Sequence, residues 1–132
     1  MVIDTSAVVA ILLAEPEQEV FTDLIASGAT RAISAIGFYE AGLVMAGKKQ
    51  TSSAAQLVDD FIRDLAISVA AVTSEELIAA RQAYFEFGRG FHPAGLNFGD
   101  CFSYALAKAR GEPLLFKGDD FAKTDIVPAW RP

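Results

Sequence analysis

Three carboxylates stand alone in apolar sequence. Asp4 is the only charged residue in positions 1–14, Glu40 the only one in 35–47, and Asp100 the only one in 96–107. An ionised carboxylate removed from water is costly unless it is paired or bound to a metal, and none of these segments supplies a Lys or Arg. Acids kept at that cost point to a site. Without a cluster of His or Cys beside them they form a hard, all-oxygen donor set. Such a set suits Mg²⁺ or Mn²⁺ and the phosphate chemistry those ions assist.

The elements that must carry these acids can be read from patterning and caps. Val2 and Ile3 predict a short strand running into a helix over 7–14 capped by Ser6, which puts Asp4 at a strand's C-terminal end. A helix over 17–26 follows, ended by Gly28. A strand over 31–34 leads to Ser34, which caps a helix over 35–48. Glu40 falls on that helix, on one face with Ile36, Leu43 and Val44. A helix over 52–65 has Leu57, Phe61 and Leu65 on its apolar stripe. A strand over 67–72 and a helix from Thr73 or Ser74 to Phe87 come next. Residues 88–96 form a Gly/Pro loop with Arg89, His92 and Pro93. Asn97 and Asp100 resemble a capping box for a helix that runs to Arg110. Leu114 to Phe116 read as a buried strand followed directly by Asp119 and Asp120, and Ile126-Val127 as an edge strand.

Strands alternating with helices predict an α/β fold, a three-layer sandwich around a mainly parallel sheet of four to five strands, in a single domain spanning 1–132. Ligands of open α/β sheets bind at the C-terminal ends of strands, where Asp4, Asp119 and Asp120 fall. Asp4 has the clearest functional claim, because Ser6 is already placed to cap. Asp100 can be explained as a helix-terminal acid equally well.

Composition narrows the function. A chain of 132 residues, 52% hydrophobic and 21% charged, is globular rather than disordered. No run is long enough to span a bilayer, and no basic stretch precedes the first apolar run, so the expectation is a cytoplasmic protein. The single Cys101 excludes an intramolecular disulfide and reads as a small core residue, and His92 as a surface residue. A net charge of −6 argues against nonspecific binding of nucleic acid and favours a basic protein partner. It leaves a nuclease open, since a metal inverts the local charge and Lys48, Lys49, Arg81, Arg89, Lys108, Arg110, Lys117 and Lys123 can line a groove. Trp130 and Phe85, Phe87, Phe98, Phe102, Phe116 and Phe121 read as core or dimer interface.

Four stretches together resemble the PIN-domain ribonuclease toxins of VapBC toxin–antitoxin modules. They are Met1-Val-Ile-Asp4-Thr-Ser-Ala, the Tyr39-Glu40 helix, Gly95-Leu-Asn97-Phe-Gly-Asp100-Cys-Phe-Ser-Tyr-Ala-Leu-Ala, and Leu114-Leu-Phe-Lys-Gly-Asp119-Asp120-Phe. The resemblance implies cleavage of RNA, commonly tRNA or rRNA, dependent on Mg²⁺ or Mn²⁺. It also implies a homodimer and a cognate VapB-like antitoxin. It makes Asp4 and Asp100 the principal metal ligands and Glu40 the acid that completes the site or orients the attacking water. Ser6 and Asn97 become the residues that hold the ligands by hydrogen bonds. Many PIN domains end the fourth strand with Thr-x-Asp. This chain has Phe116-Lys117-Gly118 instead, so the fourth acid falls to Asp119 or Asp120, and Asp120 matches the family's Asp-Phe pair. The alternative is an acidic α/β module that binds a metal or accepts a phosphoryl group without nuclease activity. A receiver-like phosphoacceptor would need an Asp ending the middle strand, where Thr73-Ser74 follow, and a haloacid-dehalogenase-type site would need one at position 6, which is Ser.

Overall fold

A computed structural model describes residues 1–132. Four short strands make an all-parallel sheet in the order β3-β2-β1-β4, with β1 Val2–Ile3, β2 Ala32–Ser34, β3 Ser68–Ala70 and β4 Leu114–Leu115. Six α-helices flank it: α1 Thr5–Leu12, α2 Gln18–Ser27, α3 Ala35–Lys49, α4 Ala55–Asp64, α5 Ser74–Phe87 and α6 Phe98–Arg110. The three-layer α/β reading of the sequence is therefore correct. Side chains of a strand alternate between faces, and here that alternation builds two cores. Val2 and Leu114 point into one with α5 and α6, and Ile3, Ile33 and Leu115 into the other with α1 to α4.

The expected edge strand at Ile126-Val127 shrinks to a single parallel bridge between Leu114 and Pro128, held by Leu114 N to Val127 O and Ala129 N to Leu114 O. The strand expected over 67–72 pairs only over Ser68–Ala70 at the open edge, where Ser68 and Val69 are exposed.

Two apolar stripes are displaced from the expected ones. On α4 the buried positions are Val58 and Ile62, with Leu57 exposed. On α3 they are Gly37, Ala41 and Met45, so Leu43 faces solvent and Glu40 lies on the margin of the buried face rather than at its centre. Both segments hold enough apolar residues for two overlapping stripes, and only packing against the neighbouring helices chooses between them.

The caps place the acids. At α1 the expected cap is corrected: Asp4, not Ser6, occupies the N-cap, its side chain accepting from Ser6 N, and the helix starts at Thr5. An Asp whose oxygen reaches the amide two residues on is as good a cap as Ser, and spacing alone does not separate them. At α6 the capping box of Asn97 and Asp100 forms in both directions. Ser34 caps α3 as expected, and that helix passes through Gly47 to end at Gln50 in the left-handed region, φ 55°.

Candidate active site

Asp4 leaves β1 at its C-terminal end and is 2% exposed. Its two oxygens have different surroundings. Oδ2 accepts from the Ser6 amide at 2.9 Å and from the Ser6 hydroxyl at 2.6 Å. Oδ1 is buried without any hydrogen-bond partner, the one such side-chain atom in the protein. An orphaned buried acceptor on an acid is costly, and a cation is the partner that would relieve it. The Ser6 hydroxyl in turn accepts from the amide of Lys117 at 3.0 Å, which ties Asp4 to the exit of β4.

The other two isolated acids come up to the same end of the sheet. Asp100 lies in the first turn of α6, where its Oδ2 accepts from Asn97 N at 2.9 Å while Asn97 Oδ1 accepts from Asp100 N. Burial pushes its carboxyl up to about 7, helped by the charges of Asp4, Glu40 and Asp120 and opposed by the Asn97 amide. Burial likewise raises Glu40, and the charge of Asp4 adds to it. Each of the three thus lies within the field of another. None takes part in any of the protein's ion pairs.

Asp120 sits on the turn before the 3₁₀ segment Phe121–Lys123, exposed, and its charge reaches Asp100. Asp119 lines a different depression, shared with Glu17, Lys117 and Arg131. Lys117 and Lys108, both expected as groove cations, are already engaged. The first pairs with Glu15 and Glu17, and the second with Asp125. Arg81 and Arg89 line a cavity of about 650 Å³ between α5 and α6 that also touches Asn97 and the exposed Phe98. Cys101 is buried as expected, its thiol pushed up to about 11 by burial and by Asp100, the setting of an inert structural cysteine. His92 is half-buried and its Nδ1 accepts from Ala94 N inside the loop.

Two residues that sequence reasoning passed over belong to this neighbourhood. Thr5 is buried, and its hydroxyl donates to the Gly37 carbonyl at 3.1 Å, locking the start of α1 to α3 one turn before Glu40. Gly99 lies directly beneath the Glu40 carboxylate. A small residue next to each acid is the only trace of either in the sequence.

No group of three His, Cys, Asp or Glu side chains is arranged to grip an ion unaided. Mg²⁺ does not require such a group, since it keeps most of its waters and takes one or two carboxylates plus phosphate oxygens. Asp4 Oδ1 and the oxygen of Asp100 outside its cap carry no hydrogen bond and are the carboxylate oxygens such an ion could take. Their all-oxygen chemistry and mutual repulsion fit a hard cation.

A PIN domain model matches residues 1–127. Ribonuclease VapC of Mycolicibacterium smegmatis is 44% identical over 127 residues, 96% of this chain and 98% of that protein. Ribonuclease VapC30 of Mycobacterium tuberculosis is 44% identical over 132 residues, the whole of both chains. Among solved structures, Mycobacterium tuberculosis VapC20, a sarcin-ricin loop cleaving toxin, superposes with a TM-score of 0.77 over 99% of this chain and 98% of that one. Its identity is 18%, so it speaks for the fold. The sheet order, the acids gathered at its C-terminal edge and these full-length matches together make the chain a member of the PIN-domain family, alongside the VapC ribonucleases.

Proposed function

We propose that the protein is a VapC-type endoribonuclease toxin that hydrolyses RNA phosphodiester bonds with Mg²⁺ or Mn²⁺ held at Asp4 and Asp100. The observation that carries this reading is Asp4 Oδ1, a buried carboxylate oxygen with no partner, in a cluster of acids with no cation. The bound ion would neutralise the scissile phosphate and activate a water for attack. The chain's own residues do the rest. Ser6 and Asn97 fix one oxygen of each ligand and leave the other free. Glu40, with its carboxyl raised by burial, accepts a proton from the attacking water. Asp120 adds charge on the Asp100 side, and Asp119 is directed elsewhere. The phosphoacceptor alternative is not favoured, because β3 ends at Ala70 with no acid in the residues that follow it up to Ser74.

Arg81, Arg89 and Phe98 beside Asn97 offer cations for phosphates and an exposed ring for a base, which supports a single-stranded stretch of tRNA or rRNA as substrate. The antitoxin partner is a VapB-like protein whose basic segment reaches the acid cluster, consistent with the net charge of −6. A homodimer would cover the exposed Tyr39 and Leu43 on α3 and Ile78 and Phe85 on α5. No helix is long and apolar enough to cross a membrane, and the cytoplasm, where tRNA and rRNA are found, is the proposed location.

The deciding experiment incubates the purified protein with total RNA and with defined tRNA and rRNA fragments. Cleavage abolished by EDTA and restored by MnCl₂ is expected. Cleavage indifferent to EDTA would remove the metal, and MnCl₂ binding without cleavage of any RNA would favour a metal-binding module.

A further inference from the structure

Glycine inside a helix needs a reason. Gly90, Gly95, Gly111 and Gly118 lie outside the helices and adopt positive φ. Gly99 does not: it sits in the first turn of α6 with no positive φ, a backbone that Ala would adopt more readily. What distinguishes it is space. A Cβ built at position 99 would meet all three terminal atoms of Glu40 at once, standing 2.6 Å from Oε1, 2.7 Å from Cδ and closer still to Oε2. Carbon atoms in contact need about 3.5 Å. The carboxylate therefore occupies the volume a side chain at 99 would fill.

We infer that Gly99 is a positioning residue for Glu40: by lacking a side chain it lets the carboxylate settle on the first turn of α6, the turn that carries Asp100. The obstructed atoms are the far end of a flexible side chain and not backbone. A methyl at 99 would thus turn Glu40 aside by about 1 Å or more and leave the helix standing. The electrostatics agree with the placement, because Glu40 feels Asp4 and Asp100 feels both. This is a steric vacancy reserved for a carboxylate, and it deepens the reading of Glu40 under Proposed function, on which it rests.

A double-substitution cycle on the full chain tests it. Gly99→Ala should melt in EDTA at or above the wild-type temperature. In a metal-free crystal structure its backbone should superimpose on the wild type with the Glu40 carboxylate turned away. RNA cleavage should fall about 10-fold or more, and the rise in melting temperature with MnCl₂ should need higher concentrations. Glu40→Asp is shorter by one methylene, about 1.5 Å, and clears a methyl at 99. In that background Gly99→Ala should cost less than about 2-fold in cleavage, a non-additivity that marks direct contact. Equal cost in both backgrounds, an undisplaced Glu40 with wild-type cleavage, or loss of cooperative melting in Gly99→Ala would each overturn the inference. Glu40→Gln separates the two levels. Wild-type cleavage and MnCl₂ response in that variant would end the role of Glu40 itself, while the displaced carboxylate in the Gly99→Ala crystal structure would still report the contact.

Discussion

Lys117 stands between two groups of acids on one edge of the sheet and serves only one of them. Its backbone amide bonds the Ser6 hydroxyl on the Asp4 side. Its ammonium group reaches the other way, to Glu15 at 2.6 Å and Glu17 at 2.8 Å. On the paired side the Lys117 hydrogen bond holds the Glu17 carboxyl below its usual range. On the other side burial and mutual repulsion push Glu40 and Asp100 up. The pattern holds across the molecule. Asp60, bonded to Gln56 and Arg63, and Asp125, bonded to Lys108 and Tyr104, are lowered as well. One residue class on one edge thus has opposite protonation behaviour, decided by whether bonds and cations of the chain outweigh burial and the neighbouring acids. The chain turns its cation at this edge, Lys117, to Glu15 and Glu17 and leaves the other acids without one, which is the arrangement expected of a site whose cation comes from outside.

The largest break in that contrast is removal of charge from the unpaired side. Asp4→Asn and Asp100→Asn should each lower RNA cleavage by about 10²–10³-fold, the scale of deleting one preorganised electrostatic group. Both should melt in EDTA at or above the wild-type temperature, since like charges repel there. Asn at 100 can still accept from Asn97 N, so the cap survives. Wild-type cleavage by either variant would show that the unpaired acids are not the site.

Ser6→Ala is a smaller intervention on the same side. It deletes the hydroxyl donor to Asp4 Oδ2 and the acceptor of Lys117 N, while the amide at position 6 still bonds Asp4 and every acid stays in place. Losses of about 10–100-fold in metal affinity or activity are usual for such supporting hydrogen bonds. The expected outcome is a MnCl₂ dependence of melting temperature displaced to higher concentration by about that factor.

Much of this site was legible before any coordinates. Asp4, Glu40 and Asp100 are visible because each interrupts an apolar segment, and an unpaired acid in such a place has few structural explanations. Asn97 with Asp100 is visible because a capping box has fixed local spacing. What escaped depends on tertiary contact. The Asp4 cap was assigned to Ser6 because both are good caps two positions apart. The sequence puts the α4 stripe on Leu57, Phe61 and Leu65 while Val58 and Ile62 are the buried positions, because only the neighbouring helices decide which apolar row is covered. Lys117 read as a groove cation because a sequence does not show which way a long side chain turns. Gly99 was silent, since its meaning lies in Glu40, on a different helix.

A pH titration of stability sharpens the contrast without any substitution at the edge. Asp100 moves from an ordinary value of 3.8 to about 7 on folding, so between those values the native state holds a proton that the unfolded chain has released. Its contribution is therefore complete below about pH 4 and is lost as pH rises through about 7, and the raised Glu40 acts with the same sign. Glu17 acts with the opposite sign, losing its contribution as pH falls below its usual range. In EDTA the melting temperature of the wild type should thus fall relative to Asp100→Asn between pH 4 and 8, by several °C or more. MnCl₂ should narrow that gap. Parallel curves for the two proteins in EDTA would mean that Asp100 is not strained in the folded state.

The smallest expected effect comes from the paired side and serves as the control. Lys117→Ala removes the ammonium from Glu15 and Glu17, yet it keeps the amide that bonds Ser6, because that donor belongs to the backbone. The pair is partly exposed, and exposed ion pairs contribute little once salt and side-chain entropy are counted. Melting should shift by less than about 3 °C, and less still in high salt. Cleavage and its MnCl₂ dependence should stay within about 2-fold of the wild type, the size of change expected when the acids at the site and their supporting bonds are untouched. A loss of 10-fold or more in cleavage with normal melting would mean that the ammonium leaves Glu15 and Glu17 to meet the RNA. Lys117 would then belong to both sides of the edge, and the division drawn between them would move from Ser6 to the side chain of Lys117 itself.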